Sequence, residues 1–348
     1  DLRNRGLDMS VLEEDLKYIA NYSLPYEEMK GTTVLVTGAT GLIGVSIVRA
    51  LVAIGDIKVI AHVRNREKAE EIYGALLQKN VELYVDDITK EINVSENIDY
   101  IFHCASITTS KTMIEKPVET ICTSVEGTKN ILELAKNKKS KSVIYVSSME
   151  MYGAFNNLNH DVTEKDLGYV DNLKIRSNYP ESKRLCENMC IAYMSEYNIP
   201  VKIARLAQTF GAGILPGENR VFAQFAKSAI KGEDIVLHTK GISEGNYCYT
   251  RDCITGLLTI LLKGKNGEAY NVSNPESHIT IADMAYMVAD KIAEGRIKVV
   301  FDIPSENKFG YAADTKMKLN SSKLQALGWK PEIGLEEAYK RMILDMEK

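Results

Sequence analysis

Tyr179 and Lys183 stand four residues apart in Asn178-Tyr179-Pro180-Glu181-Ser182-Lys183, and on a helix that spacing projects both side chains from one face. A phenol has an ordinary pKa of about 10 and makes a poor base at neutral pH. An ammonium beside it favours the phenolate and lowers that value, which suits the pair to proton transfer. Tyr-x-x-x-Lys alone occurs by chance in many helices, so a second feature is needed. It comes from Val143-Ile-Tyr-Val-Ser147-Ser148-Met149-Glu150-Met151-Tyr152-Gly153, which puts hydroxyls and a carboxylate just past an apolar run that reads as a buried strand. The carboxyl end of such a strand is where ligands bind in open α/β sheets. Ser148, Glu150, Tyr179 and Lys183 are therefore the candidate catalytic residues.

The stretch that must position them is Thr33–Leu51, TVLVTGATGLIGVSIVRAL. A β-branched apolar strand runs into glycines at Gly38, Gly41 and Gly44, and an apolar helix pattern begins inside them. Strand, glycine turn and helix in that order suit a dinucleotide pyrophosphate held on backbone N–H groups at a helix N-terminus. Gly38, Thr40, Gly41, Leu42, Ile43 and Gly44 are the expected contacts. Lys58–Val63 reads as the second strand, and beyond it Arg64 replaces the acidic residue that usually grips ribose hydroxyls. A guanidinium suits a 2′-phosphate, which favours NADP; a solvated basic loop of Arg64, Arg66 and Lys68 is the plain alternative. After the strand Val81–Val85, Asp87 with Ile88 is placed to reach the adenine. After Tyr100–Cys104, the small residues Cys104, Ala105 and Ser106 let the chain pass close to a cofactor. His103 suits a ribose contact or a structural role equally.

Strands alternating with helices, without repeats or low-complexity linkers, predict an α/β fold: a Rossmann-type doubly wound parallel sheet with a smaller α/β substrate-binding part at the C-terminal side. The expected division is an N-terminal helical extension over residues 1–30, opened by a capping box at Ser10 and Glu13. A dinucleotide-binding domain follows over 31–211 and about 236–254, and a substrate-binding part over 212–235 and about 255–348. Trp329 and the methionines of the last helices read as packing residues. A net charge of -4 gives no basic field, so neither nucleic acid nor an anionic membrane is an expected partner. No apolar run approaches the ~20 residues of a membrane span, and no secretory pattern precedes the first strand. The six cysteines show neither a C-x-x-C pair nor histidines at metal spacing, so no metal is expected and a cytoplasmic setting is.

Over roughly residues 31–345 the chain resembles the extended short-chain dehydrogenase/reductase family, in its nucleotide-sugar epimerase, dehydratase and decarboxylase group. The segments that carry the resemblance are TGATGLIG, VSSMEMYG, YPESK, ARLAQTFGAG, RVFAQFAKSAIKGE, EAYNVS and LGWKPEIGLEEA. It implies that Tyr179 is the base, that Lys183 holds the cofactor ribose and tunes Tyr179, and that Ser148 hydrogen-bonds the reacting hydroxyl. It also implies a homodimer formed through two helices per subunit, 118–138 and 180–197. The chain departs from the family pattern in places. Gln208 stands where an asparagine commonly meets the substrate diphosphate, Gly211-Ala212-Gly213-Ile214 lacks a following arginine, and Gly245 replaces another. Arg220 keeps an expected phosphate contact.

The resemblance further implies an NAD(P)-dependent enzyme that oxidises C4 of a nucleotide sugar and works through a 4-keto intermediate. Dehydration needs a proton donor where this chain has Met149, and a thioether cannot donate. Glu150 matches a glutamate of dehydratases and of UDP-glucuronate decarboxylase-like members, the closest in pattern. Decarboxylation and epimerisation thus remain. Internal hydride recycling suits NAD, whereas Arg64 suits NADP. The alternatives are an NADPH-dependent carbonyl reductase and a non-catalytic cofactor-binding scaffold.

Overall fold

The computed structural model describes residues 9–156, 158–305 and 314–348. From the amino end, α1 (Val11–Ala20) is followed by β1 (Thr32–Thr37), α2 (Leu42–Ile54), β2 (Ile57–Val63), α3 (Arg66–Tyr73), β3 (Val81–Val85) and β4 (Tyr100–His103). Next come α4 (Ser110–Glu115), α5 (Pro117–Lys138), β5 (Ser142–Ser148), α6 (Asn178–Tyr197) and β6 (Val201–Leu206). The remainder is β7 (Gln208–Phe210), α7 (Val221–Lys231), β8 (Ile235–Leu237), β9 (Glu244–Tyr249), α8 (Thr250–Lys263), β10 (Ala269–Val272), β11 (Asn274–Thr280), α9 (Ile281–Met287), β12 (Val299–Phe301), α10 (Ser322–Gln325) and α11 (Leu335–Met346).

Seven strands form one parallel sheet in the order β10-β6-β5-β4-β1-β2-β3. Successive residues of a strand point to opposite faces, and both faces here are covered. Val34 and Val36 enter the core under α2 and α8, while Leu35 enters the one under α5 and α6. The chain leaves β1 toward β2 on one side and returns to β4 on the other. Their carboxyl ends, paired at Thr37 and His103, therefore frame the crevice at which such sheets bind ligands.

The smaller part holds a three-stranded sheet, β11-β9-β7, and the pair β12-β8. Two boundaries differ from the sequence expectation. Residues 255–272 belong with the large sheet: nearly every residue of α8 is buried, and β10 pairs parallel with β6. β9, expected in the dinucleotide-binding domain, pairs instead with β7 and β11, and serves both halves by alternation. Tyr247 and Tyr249 point into the small core, while Cys248 points into the large one. A run buried on both sides gives no local sign of which core it belongs to.

The N-terminal helix carries the expected capping box, with the Glu13 N–H on Ser10 Oγ at 3.1 Å and the Ser10 N–H on Glu13 Oε2 at 2.6 Å. Its tertiary role is a brace. Asp15 is buried, accepts from Arg341 of α11 at 2.8 Å, and accepts the hydroxyl of Tyr249 on β9. Asp15→Ala is expected to cost about 3 kcal/mol, the low end for breaking a buried pair, because Glu14 stays 3.2 Å from the same guanidinium. Urea unfolding measures this, and an unchanged midpoint would remove the brace.

Lys202, near the amino end of β6, is buried against Ser142 Oγ at 2.6 Å, and burial pushes its ammonium down to about 8. Between there and its ordinary value the unfolded chain binds more protons than the folded one, so this group makes stability rise with pH over that window. Below it, the buried charge is a standing cost. Lys202→Met should therefore stabilise the protein at pH 7, with the gain shrinking toward pH 10; a gain equal at both ends would contradict this. Among the described residues no helix is long and apolar enough to cross a membrane.

Candidate functional site

The turn after β1 is built by steric necessity at two of its three glycines. Gly38 has φ +64°, and a Cβ there would lie 2.8 Å from the Ala105 nitrogen. A Cβ on Gly44 would lie 2.3 Å from the Gly38 carbonyl oxygen. Gly41 is different: it is exposed, it begins α2, and a Cβ would meet only the Gly38 oxygen at 3.4 Å. The first turn of α2 has neither a side-chain cap nor an acidic residue. Its leading N–H groups thus face outward with the positive end of the helix dipole, a ready anion site. Leu42 is buried and Ile43 partly so, so both offer the turn their backbone.

Thr37 fastens β1 to β4. Its Oγ1 accepts the N–H groups of Cys104 and Ala105, each at 3.1 Å, and sits 2.7 Å from His103 Nδ1. With two donors already received, the hydroxyl proton goes to Nδ1, and Nε2–H donates to Thr128 Oγ1 at 3.1 Å. Burial holds His103 down to about 3, hence neutral. Of the two roles open for His103, the structure takes the structural one. Burial pushes the Cys104 thiol up to about 12, so it is no nucleophile. Ser106 Oγ is buried without a partner.

Arg64 is exposed just past β2. Nearby, Asp87 Oδ1 accepts the Thr89 N–H at 2.9 Å and the Thr89 hydroxyl at 2.7 Å, which hold its carboxyl below the usual range. Ile88 buries its side chain in the core under α5, where a glycine at 127 leaves it room, so like Leu42 it has its backbone to offer the cleft.

At the end of β5 the two serines diverge. Ser147 Oγ donates to Glu187 Oε1 at 2.6 Å, inside a buried network in which Arg205 holds both Glu187 oxygens, at 3.0 and 2.7 Å. Ser148 faces the cleft, and its Oγ accepts the Glu150 N–H at 3.2 Å. Tyr179 and Lys183 share one face of α6, both buried, with Lys183 Nζ 5.6 Å from the Tyr179 ring centroid. Ile107 and Met113 wall the phenol ring. The expectation that Lys183 draws the phenol down is corrected by its surroundings. Burial first, and then the charge of Glu150, hold Tyr179 above its ordinary value. Ser148, Arg176 and Arg220 work in the opposite direction.

Lys183 also tests whether these residues suit a dinucleotide. An ammonium has three N–H bonds; Lys183 Nζ donates to the Val146 carbonyl at 2.9 Å, and burial pulls its pKa below the ordinary value. Ammonium donors left over by the Val146 carbonyl, together with the uncapped α2 terminus at the same edge of the sheet, fit a ligand that brings both hydroxyls and an anion. The unpartnered Ser106 Oγ fits the same ligand.

From the smaller part, Gln208 opens β7 half-buried, and Arg220 stands at the start of α7. Arg220 is held by Glu218 (Nε–Oε1 3.0 Å, Nη2–Oε2 2.7 Å), yet its charge still reaches Tyr179. At Gly245 on β9 a Cβ would find only Met149 Cε, at 3.9 Å. Sequence reasoning missed Arg176, which ion-pairs with Glu150 at 3.0 Å. The one available signal was its place three residues before Tyr179.

Residues 34–273 match the model of the NAD dependent epimerase/dehydratase family. UDP-glucuronic acid decarboxylase 6 of Arabidopsis thaliana is 29% identical over 309 residues, covering 87% of this chain and 85% of the relative. UDP-glucuronic acid decarboxylase 1 of Danio rerio is 28% identical over 312 residues, covering 89% and 71%. Among solved structures, the UDP-glucose 4-epimerase of Thermotoga maritima, with UDP-glucose, superposes with a TM-score of 0.78 at 24% identity, covering 91% of this chain and 99% of that one. That likeness bears on the fold, and the family match spans the glycine turn, Ser148, Tyr179 and Lys183. The chain belongs to the NAD dependent epimerase/dehydratase family.

Proposed function

We propose that the protein modifies a nucleotide sugar through a 4-keto intermediate, with decarboxylation of a UDP-hexuronate as the leading reaction. The observation that carries this is the convergence of Ser148, Glu150, Tyr179 and Lys183 between the end of β5 and the start of α6, on the same carboxyl edge of the sheet that the uncapped α2 follows; the likeness to UDP-glucuronic acid decarboxylases supports the substrate class. The turn Gly38–Gly44 and the α2 N–H groups would hold the cofactor pyrophosphate, with Cys104, Ala105 and Ser106 alongside. Lys183 would hold the ribose and Asp87 the adenine. When bound, the nicotinamide supplies the hydride acceptor. NAD fits the family, and Arg64 is the residue that would admit a 2′-phosphate.

Tyr179 takes the proton of the sugar C4 hydroxyl, and Ser148 orients that hydroxyl. Glu150 holds the sugar at the turn. Arg220 with the start of α7 takes the diphosphate, assisted by the Gln208 amide. In the 4-keto uronate the C5–carboxyl bond breaks, carbon dioxide leaves, and its electron pair forms an enolate that is protonated at C5; C4 then takes back the hydride that the bound nicotinamide would hold, and its oxygen takes back the proton from Tyr179. A second reading, 4-epimerisation, is favoured by Gly245, whose open face against Met149 offers room for the keto sugar to turn over and no cation for a carboxylate. A homodimer through α5 and α6 is supported by the exposed Val118, Ile121 and Leu185 on those helices. A reducing, cytoplasmic compartment suits the six free thiols.

Mass spectrometry of products from a panel of nucleotide sugars in deuterated water tests the reading. UDP-hexuronate should give a pentose with solvent deuterium at C5. A product of unchanged mass with inverted C4 would favour epimerisation, and no product from any sugar would defeat both.

A further inference from the structure

Arg176 stands in the turn Ile175–Ser177 that leads into α6, and Glu150 stands in the turn that follows Ser148. Arg176 Nη2 donates to both Glu150 oxygens, at 3.0 and 3.3 Å, while its guanidinium lies 5.8 Å from the centroid of the Tyr179 ring. One ion pair thus closes two turns over the phenol. Its side chains are 25% and 39% exposed, so the pair is only partly screened by solvent.

The groups that face Tyr179 are Ser148 and Glu150 from the β5 turn, Arg176 from the α6 turn, Lys183 on α6, Tyr145 on β5 and Arg220 at α7, with Ile107 and Met113 as the apolar wall. Glu150 is the one carboxylate among them, and its charge opposes a phenolate. Of the other two cations, Lys183 donates to the Val146 carbonyl and Arg220 pairs with Glu218, and neither is hydrogen-bonded to Glu150. The cation fixed to Glu150 itself is Arg176.

We propose that Arg176 is a positioning residue for proton transfer: it pins Glu150 at the sugar-facing turn and offsets the carboxylate's charge at Tyr179. Glu150 can then serve the substrate without suppressing ionisation of the phenol beside it. This rests on the reading of Tyr179 as proton acceptor. Direct contact with the sugar stays with Glu150, and Arg176 acts through it.

The test uses the full chain, saturated with NAD and labelled with ¹³Cζ-tyrosine; the Tyr179 resonance is the one lost in Tyr179→Phe. Arg176→Met should raise the ionisation midpoint by about one unit, Arg176→Lys should hold it within about 0.3 unit, and Glu150→Gln should lower it, as opposite charges within a few ångströms do. The double variant Glu150→Gln/Arg176→Met should return close to wild type. The acidic limb of kcat/KM should move with the same sign in each variant. A midpoint unchanged in Arg176→Met or not lowered in Glu150→Gln overturns the proposal, and where the phenol stays protonated across the accessible range the same two outcomes are read from the acidic limb of kcat/KM. Failure of every nucleotide sugar to react would instead defeat the proposed function, and the resonance would still titrate.

Discussion

Tyr179→Phe is expected to slow turnover by ~10²–10⁴, the usual worth of a positioned acid–base group, while NAD affinity stays at the wild-type level. The substitution removes one oxygen and keeps the ring that packs against Ile107 and Met113, so the wall of the site survives. Lys183 keeps its hold on the Val146 carbonyl, and so the place proposed for it at the ribose. The loss therefore belongs in kcat. Lys183→Ala should behave differently, weakening NAD and turnover together, because it empties a buried position with both tasks. Isothermal titration with NAD, run beside steady-state kinetics on the reactive nucleotide sugar, separates the two. Wild-type turnover in Tyr179→Phe would remove the phenol from the mechanism.

Gly41→Val is expected to abolish NAD binding and leave the fold standing. At Gly41 the backbone is extended, with φ -92° and ψ 168°, a region open to a branched residue, and the added Cβ meets only the Gly38 oxygen at 3.4 Å. The side chain would project over the α2 terminus, where a pyrophosphate must reach the N–H groups. Hydrogen bonds to a charged group are worth ~1.5–3 kcal/mol each, so losing two weakens binding by ~100-fold or more. Gly44→Ala is the contrast. Its Cβ would sit 2.3 Å from a carbonyl oxygen, and that damage should appear in the melting temperature as well as in binding. Normal NAD retention by a folded Gly41→Val protein would sink the assignment of this turn.

Local chemistry made much of this legible from the chain alone. Six-residue β1, the glycine turn and α2 are written in consecutive residues, since a buried parallel strand must be apolar throughout and a tight turn against a second strand end must be glycine. The Tyr179–Lys183 face follows from helix geometry, and the Ser10–Glu13 box from the capping needs of one helix end. All of these act over a few residues, so sequence spacing is also spatial spacing.

What the sequence could not carry was set by pairings between distant segments. Ile88 went to the core because Gly127 of α5 left it a space, and His103 became a clamp because Thr37 and Thr128 stand on either side of it. α8 and β10 joined the large sheet, and β9 became the strand shared by two cores, because burial on both faces erases the local sign of which core a run belongs to. The Glu150–Arg176 pair lies 26 residues apart in the chain, so its partnership arose only when two turns met over Tyr179. The ionisation of that phenol was decided in the same way. A neighbouring ammonium is visible as a four-residue spacing, whereas burial, which outweighs it here, is a property of the assembled molecule alone.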